Sequence, residues 1–315
     1  MSSLSNPTSH KVSVIVPAYN AGLFLEEAVR SALAFDEVKE VVLVDDASTD
    51  NTREVALQLQ QEDPRVHLLP SPGINKGVSD ARNRGMAAAT GEFLAFLDAD
   101  DLMVADRFAA LPFLVTHPDV DGVYGAVGTL YTDEKTRKEH ESRMSLSGNK
   151  NDVTGITRTV PPEELYRVLL RDEAGWIHLN GLLVRRERAL SVGGFATSLR
   201  LHQDTEWILR LAHSQRLVGH EWNRVVALRR VHTRNRVLSD DFKRGVYRHR
   251  LAELKLAYAC ASGVARKEKV FLVREAAYTR ARLRGKGVTF RLFQMVFLGW
   301  YALGCVFGWH YGEKD

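Results

Sequence analysis

The stretch VSVIVPAYN, residues 12–20, decides the fold, because it joins a short buried strand to a polar segment. The run VSVIV is apolar apart from Ser13 and rich in β-branched side chains, which is typical of a parallel strand covered on both faces. Pro17 cannot donate a ladder hydrogen bond, so we expect the strand to end there. The polar residues after it therefore lie at the exposed end of a buried strand.

The first third of the chain repeats this alternation of buried strand and helix. The pattern predicts strands over residues 38–44, 66–69 and 93–97, and helices over residues 21–35, 52–61 and 79–89. This order favours an α/β fold, in which helices cover both faces of a mainly parallel sheet. Ligands of such sheets bind beyond the carboxyl ends of the strands, so we expect functional residues directly after each strand.

Three carboxylates, Asp98, Asp100 and Asp101, follow the apolar run FLAFL at residues 93–97. Carboxylates this close repel one another unless a cation or hydrogen-bond donors share the site. Mg²⁺ or Mn²⁺ suits such hard oxygen ligands and usually binds one or two carboxylates together with substrate phosphates. A turn that caps the next helix is the alternative interpretation, since aspartate is common there too.

Two other loops carry polar residues in the expected places. Asp45 and Asp46 follow the second strand, where they could accept hydrogen bonds from a nucleobase N–H or from ribose hydroxyls. Capping of the following helix is the alternative, but it does not need both residues. The loop NKGVSDARNRG, residues 75–85, runs into a helix, and Arg82 there could meet a phosphate or a base. An ordinary basic start of a helix is the alternative for that loop.

The order of these segments resembles that of family 2 glycosyltransferases, the large inverting family with the GT-A fold. The resembling segments are VSVIVPAYN (12–20), VLVDDASTDNT (42–52), NKGVSDARNRG (75–85), GEFLAFLDADD (91–101) and, on the acceptor side, GGF (193–195) with HQDTEW (202–207). The resemblance implies one GT-A domain over residues 11–236. It also implies a metal-dependent enzyme that moves a sugar from a nucleotide-diphospho-sugar to an acceptor hydroxyl, with inversion at the anomeric carbon.

The resemblance also implies roles for individual residues in binding the donor. The nucleotide-sugar would be bound by Pro17, Tyr19, Asn20, Asp45, Asp46, Asp80, Arg82 and Asp98. Asp100 would be the ligand of Mg²⁺ or Mn²⁺. His232, in the segment RVH at residues 230–232, would approach the metal or the diphosphate.

On the acceptor side, Asp204 matches the catalytic base of the family. The family usually has Glu-Asp where this chain has Gln203-Asp204, and the aspartate itself is kept. The acceptor would meet the variable part of the chain, where we assign Trp176, Asn180 and Trp207 to the acceptor side. We expect a UDP-sugar as donor and a carbohydrate or a lipid-linked molecule as acceptor, in the synthesis of cell-surface polysaccharide, lipopolysaccharide or glycolipid.

The later part of the chain is less regular. We expect strands within residues 120–131 and over 182–185, and helices over 163–170 and 205–212. Residues 132–157 are polar, with almost no apolar periodicity, and predict a long loop that is either functional or disordered.

Charge is distributed unevenly along the 315 residues. Residues 229–291 hold 18 Lys and Arg against 5 Asp and Glu, an excess of 13 positive charges, while the whole chain carries +4. We expect residues 237–315 to form a basic region with helices within 240–285 and an apolar helix over 292–309. That region would hold the protein at the cytoplasmic face of a membrane with an anionic surface. A solvated helical surface, or a helix packed on the catalytic domain or a dimer partner, is the alternative.

The start of the chain and the cysteines indicate the compartment. Residues 1–10 are polar and lack an apolar core, so we expect a disordered start rather than a signal peptide. The chain has only two cysteines, Cys260 and Cys305, with no CxxC pair and no metal-binding spacing around them. So low a number argues against a disulfide framework and favours a reducing compartment.

Three rival functions fit parts of the sequence. A sugar-1-phosphate nucleotidyltransferase would need a loop rich in glycine and arginine after the first strand, where this chain has PAYNAG at residues 17–22. A non-catalytic nucleotide-sugar-binding protein would not need both Asp100 and Asp204. A nucleic-acid-binding module rests on the basic tail alone, which lacks interleaved base-stacking aromatic motifs, so we expect no nucleic-acid partner.

Overall fold

The computed structural model describes residues 11–145, 153–220 and 222–232, together with helical pieces at 251–252, 254–255 and 269–276. Of these, the residues within 1–166 and 174–233 form one compact unit, and those within 167–173 and 234–315 form a second. The polar start, most of the predicted basic helices and the apolar run 292–309 lie outside the described residues. Among the described helices, none is long and apolar enough to span a bilayer.

Strands and helices alternate in the first part of the chain, as predicted. They are β1 (Val12–Ala18), α1 (Leu25–Leu33), β2 (Val38–Asp45), α2 (Thr52–Glu62), β3 (Val66–Leu68), α3 (Val78–Ala88), β4 (Phe93–Phe96), β5 (Leu102–Met103) and α4 (Leu111–Thr116). α1 begins four residues later than expected, because Ala21 and Gly22 form a turn whose N–H groups donate to Thr52 Oγ1 and Asp50 Oδ2.

The second part of the chain completes two sheets and adds four helices among the described residues. Its elements are β6 (Gly122–Tyr124), β7 (Ala126–Tyr131), α5 (Glu134–Ser145), β8 (Val153–Thr154), α6 (Pro162–Arg171), β9 (Leu182–Arg185), α7 (Arg186–Ser191), α8 (Gln203–Ser214), β10 (Leu217–Val218) and β11 (Val225–Val231). A short 3-10 turn, Leu179–Gly181, leads into β9.

The larger sheet has seven strands in the order β10-β6-β9-β4-β1-β2-β3. β1 pairs in parallel with β2 and β4, and β2 pairs in parallel with β3, whereas β9 is antiparallel to both its neighbours. A smaller sheet has the order β5-β11-β7-β8. The prediction of an α/β fold with a mainly parallel sheet is confirmed.

Helices cover both faces of the larger sheet. Val14 and Val16 of β1 share one buried cluster with Val29 of α1. Ile15 points to the other face, where α3 crosses the strand at Gly85. A Cβ atom at Gly85 would lie 2.5 Å from Ile15 Cγ2, so only glycine allows α3 to approach the sheet this closely. The close approach brings the start of α3 to the carboxyl edge of the sheet.

β1 runs one residue beyond Pro17, which corrects the expectation that the strand ends at the proline. Pro17 is in register with Val44 of β2, while pairing with β4 has already ended at Ile15. Residues of a strand direct their N–H groups alternately to the two neighbours, and the carbonyl of Ile15 accepts from Leu97 on the β4 side. The N–H that proline lacks would also face β4, where no ladder bond remains to be made.

The polar stretch 132–157 is not a long loop, because α5 occupies its first half. Asp133 caps this helix by accepting from the N–H of Thr136 at 2.8 Å and from its hydroxyl. Arg137 pairs with Glu134 at 3.2 Å and with Glu141 at 3.5 Å along the helix surface. Capping and charge pairing therefore form a helix where apolar periodicity is missing.

The second unit has its own contacts. Lys255 Nζ lies 2.5 Å from Asp172 Oδ1, and the guanidinium of Arg171 lies 4.6 Å from the centroid of the Phe271 ring. Burial lowers the pKa of Lys255, although Asp172 acts in the opposite direction.

Candidate active site

The candidate site lies where β1, β2 and β4 end, at the carboxyl edge of the larger sheet. Ala18 is in register with Asp45, and the N–H of Asp46 donates to the carbonyl of Ala18 at 2.9 Å. Asp98 follows the end of β4 by two residues. The segments after three neighbouring strands therefore meet at one edge, where parallel sheets bind ligands.

Asp46 organises the loop that enters α3. Its buried carboxylate accepts from the N–H of Lys76 at 3.0 Å and from the N–H of Gly77 at 2.7 Å. Gly77 has a φ of +91°, a conformation that a side chain would strain. Asp46 therefore holds this loop in its conformation.

Asp45 and the residues at the end of β1 lie in a second part of the site. The Asp45 carboxylate accepts from the N–H of Ser48 at 3.1 Å and lies 3.7 Å from the guanidinium of Arg53. Asn20 ties the two loops together, because its Oδ1 accepts from the N–H of Thr49 at 2.8 Å. Tyr19 is 50% exposed, so its ring is open for a planar ligand to stack on.

Arg82 and Asp98 form an ion pair between α3 and the loop after β4. Arg82 Nη2 lies 2.7 Å from Asp98 Oδ1, and the arginine is buried. Burial raises the pKa of Asp98, but Arg82, His178 and Arg229 together lower it further, so that it lies below its ordinary value. Asp80, in the first turn of α3, keeps one buried carboxylate oxygen without a hydrogen-bond partner among the described residues.

Asp100 is contacted from β11 and the residue after it. Its Oδ2 lies 3.0 Å from Nε2 of His232, and its carbonyl accepts from Nε of Arg230 at 2.9 Å. The guanidinium of Arg230 also forms an ion pair with Glu27 of α1 at 2.5 Å and lies over the ring of Phe24. β11 thus holds both the main chain and the side chain of Asp100.

Asp101 points into the protein instead of toward solvent. Its two carboxylate oxygens accept from the N–H of Arg230 at 2.7 Å and from Nδ2 of Asn180 at 2.6 Å. Burial, together with the charges of Asp98 and Asp100, raises the pKa of Asp101 well above its ordinary value. Asp101 is therefore a support for the loop and not an open metal ligand.

Asp204 lies in the first turn of α8, and its Oδ1 accepts from the N–H of Thr205 at 2.8 Å. Its charge and that of Asp98 both act on the partly buried His178. Burial lowers the pKa of His178, while the charges of both Asp98 and Asp204 act to raise it. His178 Nδ1 accepts from the N–H of Asn180 at 3.2 Å, so the proton of a neutral ring is on Nε2.

A loop with the sequence VGGF, residues 192–195, connects α3 with α8. Asn83 of α3 donates to the carbonyl of Phe195 at 2.9 Å and accepts from its N–H at 2.6 Å. From α8, the indole N–H of Trp207 donates to the carbonyl of Gly193 at 2.9 Å, and Arg210 donates to the carbonyl of Gly194 at 2.5 Å. The loop therefore sets the distance between Arg82 on α3 and Asp204 on α8.

Residues 13–175, just over half of the chain, match the family model described as glycosyl transferase family 2. The chain belongs to this family.

Curated relatives of this glycosyltransferase-family chain match part of its length. A glycosyltransferase of Nostoc sp. is 36% identical over 180 residues, covering 56% of this chain and 51% of its own length. The succinoglycan biosynthesis protein ExoO of Rhizobium meliloti is 41% identical over 194 residues, covering 61% and 53%. The chain thus spans about half the length of these relatives.

Two solved structures share the fold of this family member. S. aureus TarS, residues 1–349 in complex with UDP-GlcNAc, aligns over 94% of this chain and 81% of its own, with a TM-score of 0.63 and 17% identity. The mannosyltransferase PcManGT of Pyrobaculum calidifontis, in complex with GDP-Man and Mn²⁺, aligns over 95% and 88%, with a TM-score of 0.54 and 21% identity. The expected GT-A fold is confirmed.

The donor side of this family 2 chain offers two ligand atoms for a divalent ion. Two neighbouring ligands of an octahedral ion with bonds of about 2.1 Å lie about 3.0 Å apart. Asp100 Oδ2 and His232 Nε2 have this separation of 3.0 Å. Within the described part of the chain no cluster of three such side chains can hold an ion. The two residues fit an ion whose remaining ligands are phosphate oxygens and water.

Two residues assigned to the acceptor side have other partners. Trp207 is fully buried and stacks on Phe195 with ring centroids 4.6 Å apart, so its ring cannot meet an acceptor in this conformation. Asn180 is also fully buried, and its amide binds Asp101. Trp176 is partly buried near the same turn, and its role stays a prediction.

Sequence reasoning missed the contributions of His178, Asn83 and Arg230. His178 is a lone histidine between apolar residues, and no spacing rule marks it. Asn83 lies inside the motif of residues 75–85, yet its partner is 112 residues away. Arg230 lies two residues before the expected His232, and this closeness in sequence was the one signal available for it.

Proposed function

We propose that this protein is an inverting glycosyltransferase. It transfers a sugar from a nucleoside-diphosphate sugar to a hydroxyl group of an acceptor, and a divalent metal assists. The observation that carries the proposal is the loop of residues 192–195, which Asn83 of α3 and Trp207 of α8 both bind. It connects the helix of Arg82, on the donor side, with the helix of Asp204, and the charges of Asp98 and Asp204 both act on His178. These contacts support one site for both halves of the transfer reaction.

The donor binds along the ends of β1, β2 and β4. Tyr19 stacks on the nucleobase, and Asp45 accepts hydrogen bonds from the base or the ribose. Arg82 adds a cation near the phosphates. The loop held by Asp46 brings the start of α3 close to the diphosphate, where the helix dipole favours anions. Pro17 and Asn20 line this part of the site.

Asp100 and His232 would hold Mg²⁺ or Mn²⁺, which would supply positive charge beside the leaving diphosphate. Arg230 keeps the Asp100 carbonyl in place, and the ion pair of Arg82 with Asp98 fixes the neighbouring loop. These contacts hold Asp100 and Asp98 in place before and during the transfer.

Asp204 is the catalytic base. Its carboxylate is partly exposed and accepts from one backbone N–H, which leaves lone pairs for the acceptor hydroxyl. It removes the proton of that hydroxyl as the acceptor oxygen bonds to the anomeric carbon. The bond from this carbon to the diphosphate breaks on the opposite face, so the configuration inverts. The acceptor, where it fills the space beside Asp204, keeps out water that would compete as nucleophile.

The proposal for the substrate class is supported by the names of relatives and not by the site itself. ExoO takes its name from succinoglycan biosynthesis, and another relative is named a glucosyltransferase that acts on an undecaprenol-linked acceptor. We propose that this chain acts in the synthesis of a surface polysaccharide or glycolipid. UDP and GDP both occur in the solved structures that share its fold.

We further propose a cytoplasmic location at the inner face of a membrane. The support is the excess of 13 positive charges within residues 229–291, which suits an anionic leaflet, together with the apolar run of residues 292–309 that follows it. Fractionation of full-length protein and of a variant truncated before Val288 tests it. A full-length protein that is soluble without detergent, or a truncation that unfolds the catalytic domain, contradicts the location.

A donor panel tests the proposed function. Purified full-length protein is incubated with UDP-, GDP- and dTDP-sugars in Mg²⁺, in Mn²⁺ and in excess EDTA, and the products are separated by anion-exchange chromatography. We expect metal-dependent release of a free nucleoside diphosphate from one class of donor. With added pyrophosphate, formation of a nucleoside triphosphate and a sugar 1-phosphate would instead identify a nucleotidyltransferase. Binding of a donor without any turnover, with or without candidate acceptors, would identify a non-catalytic protein.

A further inference from the structure

A buried arginine without a counter-ion lies beside the candidate site. Arg107 follows β5 and is 3% exposed. Its Nη2 donates to the carbonyl of Leu182 at 2.7 Å, and its guanidinium lies 5.2 Å from the centroid of the Phe108 ring. Among the residues that the structure describes, Nε has no partner and no carboxylate pairs with this guanidinium.

The charge of Arg107 is not offset by its surroundings. Burial alone lowers its pKa to about 9, with no opposing contribution from an acid. The side chain is still a cation at neutral pH. A buried charge without a partner is costly, and natural proteins rarely keep one without a compensating group. The compensating group for Arg107 is not a side chain of the described residues.

A second unsatisfied donor lines the same cavity. Tyr124 is 2% exposed, and its hydroxyl has no hydrogen-bond partner among the described residues. Burial raises the pKa of Tyr124 to about 12, so the hydroxyl keeps its proton. Arg107, Tyr124 and His220 surround a cavity of about 20 Å³. The nearby Arg224 and Asp106 lie 3.3 Å apart and satisfy each other.

The charge of Arg107 and the two unsatisfied donors define the occupant. The half-exposed side chains of Asp106 and Arg224 also line the cavity, whose volume of about 20 Å³ has room for a small ligand. A water molecule could accept both hydrogen bonds, but it would leave the charge of Arg107 uncompensated. We propose that this cavity binds one monatomic anion, which is chloride in the cell, between Arg107 and Tyr124.

The anion would support the acidic loop from behind. Arg107 binds the carbonyl of Leu182, and Asn180, two residues earlier, binds the carboxylate of Asp101. Between them, the carbonyl of Gly181 accepts from the N–H of Gly125, which also lines the cavity. Anion binding therefore stabilises the segment of residues 180–182 that holds Asp101. It does so without touching the donor or the acceptor.

Thermal unfolding of the full chain tests the proposal. The melting temperature is measured in potassium chloride, bromide and gluconate at the same ionic strength, with gluconate as the bulky reference anion. We expect chloride and bromide to raise the melting temperature saturably, by about 2–4 °C over gluconate. Arg107→Met should abolish this difference, and Tyr124→Phe should reduce it. Arg216→Gln is the control, because Arg216 pairs with Asp119 at the surface and should keep the full response.

Crystals grown in bromide give a direct result that does not depend on the stability of any variant. We expect an anomalous scattering peak between the Arg107 guanidinium and the Tyr124 hydroxyl. A site filled by water with no anomalous signal would overturn the proposal. So would equal melting temperatures in chloride and gluconate. If Arg107→Met does not fold, the Tyr124→Phe response and the bromide crystals decide.

Discussion

Strand β2 carries a buried carboxylate near each end, and the two have different surroundings. Glu40, at the amino edge of the sheet, is 5% exposed and accepts from the Ser13 hydroxyl at 2.6 Å and from the N–H and hydroxyl of Thr90 at 2.6 and 2.8 Å. Asp45, at the carboxyl edge, is 1% exposed and has one backbone bond at 3.1 Å and an arginine 3.7 Å away.

The difference separates structural acids from functional ones. Neutral donors from Ser13 and Thr90 converge on Oε1 of Glu40 from strands and loops that already pack together, and His67 lies 3.8 Å from Oε2. At the carboxyl edge the acids face other charges, as Asp98 faces Arg82, and partners come from distant segments. Burial alone does not mark a functional acid. We expect substitutions at the carboxyl edge to change catalysis without unfolding, and substitutions at the amino edge to do the reverse.

The largest effect is expected from Asp204→Asn. The amide keeps the shape of the side chain but cannot accept the proton of the acceptor, so transfer should fall about 10²–10⁴-fold. Nucleoside diphosphate affinity, measured by calorimetry, should stay unchanged. The matched control is Gln203→Glu, which restores the family's usual pair and should keep its activity. Near-normal turnover by Asp204→Asn would refute the assignment.

Asp100→Ala should remove metal dependence together with most of the activity. In the wild type, Mg²⁺ or Mn²⁺ should tighten the binding of UDP or GDP, and in the variant the metal should have no effect. Asp106→Ala is the control, because this exposed carboxylate pairs with Arg224 away from the proposed ion. Calorimetry with and without metal measures the effect. Full wild-type activity in excess EDTA would show that no metal is needed.

Asn83→Leu tests whether the loop of residues 192–195 couples the donor side to Asp204. The variant loses both bonds to Phe195, and we expect a drop of about tenfold in transfer with unchanged affinity for the nucleoside diphosphate. Arg65→Met is the control for stability, because it breaks a 2.9 Å bond to the Leu33 carbonyl at the opposite edge. Equal losses of rate in the two variants would mean that Asn83 acts through stability alone.

The strands and the donor loops could be predicted because their signals are local. Buried β-branched runs such as VSVIV and the acids directly after FLAFL need no distant partner to be recognised. The helix α5 was missed because apolar periodicity was the only criterion. The cap at Asp133 and the pairing of Glu134 with Arg137 are also local and would have indicated it.

The acceptor side could not be predicted in the same way, because its roles depend on tertiary contacts. Trp207 is an aromatic residue on which an acceptor could stack, but its ring packs in the core against Phe195. Asn180 binds Asp101, 79 residues earlier in the chain. Spacing along the sequence does not report such pairs. A polar or aromatic residue near a motif is therefore a weaker guide than an acid at the end of a buried strand.

The smallest catalytic effect is expected from Glu40→Gln, which should lower stability and leave activity unchanged. The amide can keep its oxygen at the position of Oε1, but the bonds from Ser13 and Thr90 then end on a neutral acceptor and lose the help of its charge. We expect this to cost about 1–3 kcal/mol in the free energy of unfolding. Urea unfolding at neutral pH measures it. Glu62→Gln, at an exposed ion pair with Arg30, is the control and should cost much less.

The pH dependence of that difference shows whether the charge of Glu40 matters. Burial raises the pKa of Glu40, but the bonds from Ser13 and Thr90 lower it further, so the folded protein has a pKa below the ordinary 4.5. A carboxylate with a depressed pKa stabilises the fold above its unfolded pKa, and this contribution is lost as the pH falls through the folded value. The gap between wild type and Glu40→Gln should therefore be constant from neutral pH down to about 5 and shrink below about 4.5. A gap that stays the same into the acid range would show that hydrogen-bond shape, and not charge, makes Glu40 structural.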